Sequence, residues 1–322
     1  DQANASGNLG FKLSLFKSDD VGLADKAPAA AAAILQDNSI VGVIGPSFSG
    51  ATKAVGKTYA DAGMAVISPS ATNGTLTSLG FSTFHRVVPP DSVEGQQAAD
   101  WLAKKAKKVF VVDDLSDYGK GVADDVQKEL KAKGVTVVRQ GVDSKTTDYG
   151  AISQTVKSSG AQTMFYGGYD AQAALFARAL KSAGYAGVTV TGNGGKSSVF
   201  TKGAGSAGDG WYFSCGCLDA TVAPEAKSFE TAYKAKFNTP SSTYSPEAYD
   251  ATNAMISVLK ALASKGDITR KAVEEGVNSL DFKGITTTIK FETNGEVQQQ
   301  VINLYQQKNG VIGLIGDIKS QS

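Results

Sequence analysis

The sequence predicts an α/β protein built as two doubly wound parallel-sheet lobes joined by a three-segment hinge, and three observations carry that prediction. The chain has 322 residues, more than one ordinary domain needs and enough for two. Short β-branched runs alternate with amphipathic helical stretches, the pattern of parallel strands linked by crossover helices. After Trp211 the rhythm changes to successive helices with no strand between them, as when a chain returns to a lobe whose sheet is already built.

The strand candidates are 12–16, 40–44, 65–68, 109–112, 135–139, 163–166 and 188–191. Several are continuous apolar runs, as expected when helices cover both faces of a sheet. Helix candidates between them are 24–36, 51–62, 92–105, 119–133, 149–158 and 171–183. Asp91 followed by Glu94 reads as a capping box for the 92–105 helix. Beyond a strand at 211–214 come helices at 224–237, 246–264 and 269–278, then strands at 285–291, 301–305 and 312–315. Crossings between lobes are placed at Val88-Pro89-Pro90, at 214–219 and at 292–298. The expected lobes are therefore 1–88 with 217–295, and 89–216 with 296–322. Asp1 to Gly7 reads as the last turn of a helix ending on glycine.

Composition points away from catalysis. The only histidine, His85, lies in the apolar run Phe84-His85-Arg86-Val87-Val88 and reads as structural rather than as a general base. Cys215 and Cys217, with Gly216 between them, are too few for a four-ligand zinc site. They form a tight local disulfide in an exported protein or stay two small buried residues, and both readings are open. A net charge of +1 gives no footprint for nucleic acid. No stretch approaches the roughly 18 apolar residues of a membrane span. Three enzyme-like motifs fail: Gly203 to Gly208 matches GxGxxG but precedes a strand, Gly195-Lys196-Ser197 lacks the first P-loop glycine, and Ser49 replaces the second glycine of a nucleophile elbow. No cofactor is expected.

Loops at strand C-termini are where open α/β sheets place ligands. Gly45-Pro46-Ser47-Phe48-Ser49-Gly50 opens a helix, so its backbone N–H groups and serine hydroxyls suit a carboxylate. Ser68-Pro69-Ser70-Ala71-Thr72-Asn73-Gly74 follows the next strand with more short hydroxyls. Adjacent strands bring these two loops together as an uncharged, donor-rich anion cradle. Tyr118 in loop 114–121, and Tyr169 with Asp170 after Gly167-Gly168, offer flat faces and hydroxyls on further strand-end loops.

These runs, with Asp117-Tyr118-Gly119-Lys120-Gly121 and the 244–250 segment, resemble the branched-chain amino acid (leucine/isoleucine/valine) binding proteins. Those are type I periplasmic binding proteins of ABC importers, and the resemblance covers essentially the whole chain. It implies that Ser49 and Thr72, aided by backbone around Ser70, hold a ligand carboxylate. It implies that Tyr118 and Tyr169 close over the ligand from the other lobe, and that Phe48 and Tyr244 wall its side chain. The loop after strand 188–191, with Asn193, joins the ligand-binding set. Gly194 stands where the family usually has an acid for the ligand ammonium, so Asp170 or Glu247 substitutes or the ligand is not an ordinary α-amino acid. The family's first strand, normally central in its sheet, would precede Asp1. The resemblance implies an exported, periplasmic or surface-anchored monomer that binds an amino acid or small carboxylate and partners a membrane permease. The rivals are a sensor domain of the same fold and, less favoured by the residue inventory, a doubly wound enzyme.

Overall fold

A computed structural model describes residues 1–321. The chain forms two compact units, the first from Asp1–Pro89 with Tyr244–Gln300, the second from Pro90–Thr243 with the chain from Val301 on.

The chain begins in unit 1 with the single helical turn α1 (Gln2–Ala5), and Gly7 takes a φ of 66° just after it. Helix α2 (Ala27–Gln36) is an alanine run with Pro28 in its first turn, where a missing N–H costs nothing. Strand β1 (Gly42–Ile44), helix α3 (Ser49–Asp61), strand β2 (Ala65–Ser68) and strand β3 (Phe84–Arg86) follow, and the three strands form a parallel sheet in the order β1-β2-β3. Side chains alternate across β2. Ala65 and Ile67 join a core with Met255 and Val273, while Val66 joins one with Val55 and Tyr59. Both faces are buried, which is why the run reads as continuously apolar.

The 12–16 segment, expected as a strand, is extended but belongs to no ladder. Leu13 instead exchanges two hydrogen bonds, both of 2.9 Å, with the side-chain amide of Asn4, and Leu15 is 81% exposed. Between this segment and β1 lies a groove of about 660 Å³, lined by Leu13, Ile34, Val43, Tyr59 and Met255 among others. An apolar run forms a strand only where a neighbouring edge can pair with it.

In unit 2 the chain forms α4 (Asp91–Lys105), β4 (Lys108–Asp113), α5 (Asp117–Ala132), β5 (Thr136–Gly141), α6 (Gly150–Ser158) and β6 (Thr163–Gly167). It continues through α7 (Asp170–Ala183), β7 (Val188–Thr191), α8 (Ser198–Ala204), β8 (Tyr212–Cys215) and α9 (Lys227–Phe237). Back in unit 1 come α10 (Ser245–Ala263), α11 (Arg270–Asn278) and the short hairpin β9 (Phe282–Lys283) and β10 (Thr288–Ile289). The expected strand 285–291 shrinks to β10, and Asp250 accepts hydrogen bonds from the Ile285 and Thr286 N–H groups just before it. The last hairpin, β11 (Asn303–Lys308) and β12 (Val311–Asp317), turns through Asn309-Gly310, both at positive φ, and finishes the sheet of unit 2. That sheet has seven strands in the order β12-β11-β8-β7-β6-β4-β5, with β11 and β12 antiparallel to their neighbours.

Two lobe boundaries differ from expectation. Residues 217–243 belong to unit 2, and the last crossing falls at Gln300/Val301. Side-chain contacts explain the first difference. Lys196 pairs with Asp219 at 3.2 Å and lies 4.4 Å over the Tyr305 ring, whose hydroxyl donates to the Cys217 carbonyl at 2.7 Å. Thr243 donates to the Lys196 carbonyl at 2.6 Å. The expected capping box also fails: α4 starts at Asp91 after Pro90, with no side-chain cap, and Glu94 turns to other partners.

Cys215 and Cys217 form a disulfide, and both are buried. His85 is buried, hydrogen-bonds Asn278 Oδ1 through Nε2 at 3.0 Å, and is pushed toward its neutral form chiefly by burial. That is a structural environment. Because the disulfide closes a loop of only three residues, chain entropy assigns it about 1.6 kcal/mol. The Cys215→Ala/Cys217→Ala protein should therefore remain folded and lose between about 1 and 2 kcal/mol in denaturant titrations; a loss above about 4 kcal/mol would refute this entropic account.

Candidate functional site

Parallel pairing of β1 with β2 places the loops that follow them side by side. The 45–50 loop carries a cis Gly45–Pro46 bond, and the Pro46 carbonyl accepts from Ser68 Oγ at 2.6 Å. Ser70 Oγ donates to the Ser47 carbonyl at 2.8 Å, and the Asn73 N–H donates to Ser49 Oγ at 3.2 Å. Ser68 Oγ also accepts from the Ala71 N–H at 3.0 Å, and Asn73 Oδ1 accepts from the Thr75 N–H at 2.8 Å. Two segments over twenty residues apart are thus laced into one surface.

The lacing leaves donors over. Ser49 Oγ already accepts from Asn73, so its own hydrogen remains to be given to something else. Thr72 is 2% exposed and its hydroxyl finds no hydrogen-bond partner. A buried hydroxyl without a partner costs about 1 to 3 kcal/mol, so a partner brought to Thr72 relieves that cost. Ser49 is the first residue of α3, whose first-turn N–H groups have no intrahelical acceptor and whose dipole favours negative charge. Hydroxyls and helix-start amides gathered in this way suit an anion.

Phe48, the residue before α3, is partly exposed and its ring packs on Gly22, which has a φ of 70° and no room for a Cβ. Tyr244 sits in a left-handed conformation just before α10, and Glu247 is buried in the first turn of that helix. Unit 1 thus holds Phe48, Ser49, Ser70, Thr72, Tyr244 and Glu247.

Unit 2 holds the others. The Tyr118 and Tyr169 rings lie 5.2 Å apart, tilted by 38°, and Tyr118 reaches the loop after β7. Tyr118 is buried, and its hydroxyl accepts from the Gly194 N–H at 2.9 Å. A Cβ at Gly194 would lie 2.5 Å from the Tyr118 ring. The ring therefore occupies the space an acidic side chain at 194 would need, and glycine there is a steric requirement. Burial, then the nearby Asp114, Asp91 and Asp117, pushes the Tyr169 hydroxyl well above its ordinary range, so it stays a neutral donor. Asp170 opens α7 with both carboxylate oxygens engaged, one by Ser197 Oγ at 2.5 Å and the other by the Ala171 N–H at 2.8 Å. Those bonds compete with any role as an ammonium partner.

Asn193 gives its side chain to the protein. Its N–H donates to Glu94 Oε1 at 3.0 Å and its Nδ2 to Glu94 Oε2 at 2.5 Å, while Ser214 Oγ donates to Glu94 Oε1 at 2.8 Å. Glu94 is therefore the hub that fixes the 192–195 loop against which Tyr118 rests. Burial raises its carboxyl to about 7, against the lowering effect of those three donors. Sequence reasoning missed this residue because its partners lie 99 and 120 positions away.

The chain matches a family model described as "Periplasmic binding protein" over residues 1–311. It is 31% identical over 319 residues to the Leu/Ile/Val-binding protein BraC3 of Rhizobium johnstonii, covering 97% of this chain and 85% of that one. Among solved structures, the branched-chain amino acid binding protein LivJ of Streptococcus pneumoniae in complex with isoleucine superposes with a TM-score of 0.86 at 24% identity, covering 98% of this chain and 91% of that one. A solute binding protein of R. palustris in complex with benzoate gives 0.85 at 19% identity, with 98% and 88% covered. The class defined by the fold and the match is the solute-binding receptor with two α/β units. The protein belongs to the periplasmic binding protein family.

Glu94 supplies a test of the unit 2 geometry. With its folded pKa raised from 4.5 to about 7, the folded form holds a proton that the unfolded form releases, so stability is full below pH 4.5 and falls as pH rises toward 7. The slope from this one group is at most about 1.4 kcal/mol per pH unit. Glu94→Gln should flatten the curve across that window in urea melts recorded pH by pH. Parallel curves for the two proteins would show that Glu94 does not titrate there.

Proposed function

We propose that the protein is the extracytoplasmic solute-binding subunit of an ABC importer and that it performs no chemistry on its ligand. The ligand is an amino acid of the branched-chain type or a similar small carboxylate. One observation carries the reading: the buried, unpartnered Thr72 hydroxyl and the committed acceptor Ser49 stand in two laced loops at the start of α3. That is a carboxylate-shaped demand built from neutral donors, which bind and release without a fixed counter-charge.

In this proposal Ser49, Thr72 and the backbone near Ser70 take the carboxylate, and Phe48 and Tyr244 bound the rest of the ligand. Tyr118 and Tyr169 of unit 2 contribute their faces and hydroxyls when the two units close on it, with rotation at the three crossings. The closed form then docks on a membrane permease, and the receptor itself works as a monomer. An exported location, periplasmic or anchored to the cell surface, fits a buried disulfide, which persists in oxidising compartments. The names of its relatives, Leu/Ile/Val-binding proteins, support the ligand class.

The closed position at Gly194 bears on the ligand's other end. A buried ammonium without a carboxylate costs several kcal/mol, on the order of what a buried ion loses with its partner. Glu247, buried in unit 1, and Asp170 are the acids available for that role in this proposal.

Calorimetry on purified protein tests the reading. Ser49→Ala with Thr72→Ala should weaken binding of the best ligand at least tenfold, and unchanged affinity would overturn the carboxylate assignment. Among amino acids and plain carboxylates, an ammonium-bearing ligand should lose all binding to Asp170→Asn or Glu247→Gln. Indifference to both substitutions would instead identify a carboxylate without an ammonium.

A further inference from the structure

Arg86 is fully buried on β3. Its Nε donates to Glu296 Oε2 at 2.8 Å and its Nη2 donates to Glu296 Oε1. Its Nη1 donates twice, to the Ala71 carbonyl at 3.0 Å and the Asn73 carbonyl at 2.8 Å. Those carbonyls stand on either side of Thr72. Glu296 Oε1 also accepts from Thr77 Oγ1 at 2.8 Å, so the pair grips the loop at its middle and again just beyond its end. The carboxylate is itself fixed. Arg86 N–H donates to the Gly295 carbonyl at 3.1 Å, and Gly295, at a φ of 85°, lies so close to the Phe84 carbonyl that no Cβ fits.

Stability alone is a poor reason for this arrangement. Removing two charges from water costs about as much as their attraction returns, and apolar replacements of matching volume are often neutral or better. What an apolar pair cannot reproduce is the direction of four hydrogen bonds from one rigid guanidinium. Half of them end on the loop that carries Thr72.

We propose that Arg86 and Glu296 are positioning residues for ligand binding: they hold the 71–77 segment from beneath so that Thr72 and Asn73 keep the geometry of the carboxylate cradle. Neither touches the ligand. The inference rests on the reading of that cradle as the ligand site. The same pair sits on segments that lead out of the unit, Arg86 shortly before the Pro89/Pro90 crossing and Glu296 shortly before Gln300/Val301. The loop is therefore tied to two of the three connecting strands through one buried contact.

The test compares the wild-type protein with Arg86→Met/Glu296→Leu, which keeps the volume and deletes the grip. Three readouts are needed: thermal unfolding, hydrogen exchange at the Asn73 and Thr75 amides, and calorimetric affinity for leucine, isoleucine, valine and benzoate. The expected result is a melting temperature within a few degrees of wild type, exchange at both amides at least tenfold faster, and affinity at least tenfold weaker for whichever probe wild type binds. A folded variant with wild-type exchange and affinity overturns the proposal. Should the double variant not fold, Arg86→Lys serves: lysine keeps the ion pair but cannot also span both carbonyls, so exchange and affinity should change in the same direction, and constancy of both overturns the proposal. If wild type binds none of the probes, the carboxylate reading fails, while faster or unchanged amide exchange still decides the clamp.

Discussion

Parallel adjacency of β1 and β2 is the constraint on which the loop geometry of unit 1 depends. Parallel neighbours end at the same edge of a sheet, so the loops that leave them must share space. Short hydroxyl side chains then turn proximity into a single surface, because each can accept one backbone hydrogen and still donate its own. Ser68 does both, while between loops 45–50 and 68–74 Ser70 donates and Ser49 accepts. What remains unsatisfied after that lacing is confined to the Thr72 hydroxyl, the Ser49 proton and the first turn of α3.

Each unit supports its loops with one buried charge. In unit 1 the Arg86 guanidinium reaches the backbone of the Thr72 loop, and in unit 2 the Glu94 carboxylate collects Asn193 and Ser214. The two solve the same problem with opposite signs. A loop at a strand end has few ladder bonds to hold it, and a buried ion with several short bonds imposes direction where packing cannot. The electrostatic consequences differ, since Arg86 is paired with Glu296 whereas Glu94 has only neutral donors and rises to about 7.

Gly194 links the second of these hubs to Tyr118. Tyr118 lies against it, its hydroxyl takes the Gly194 N–H, and Asp170 spends its oxygens on Ser197 and Ala171. The groups that Tyr118 and the 192–195 loop exchange are therefore hydroxyl and amide.

Much of this was legible in the residue order. Alternating apolar runs and amphipathic stretches located most strands to within two residues, and the strand-end positions of Ser49, Ser70 and Thr72 followed from them. These features are local, fixed by side-chain periodicity and turn chemistry within a few residues. Tertiary structure alone decided the rest. Whether 12–16 pairs, where 217–243 packs, and why Arg86 interrupts an apolar strand depend on partners far along the chain: Arg86 and Glu296 are 210 positions apart, Lys196 and Asp219 are joined only in the fold, and Glu94 left its expected cap for Asn193. Sequence periodicity records which face of an element is buried, but a hydrogen bond between distant residues leaves no trace in spacing, and only folding chooses it.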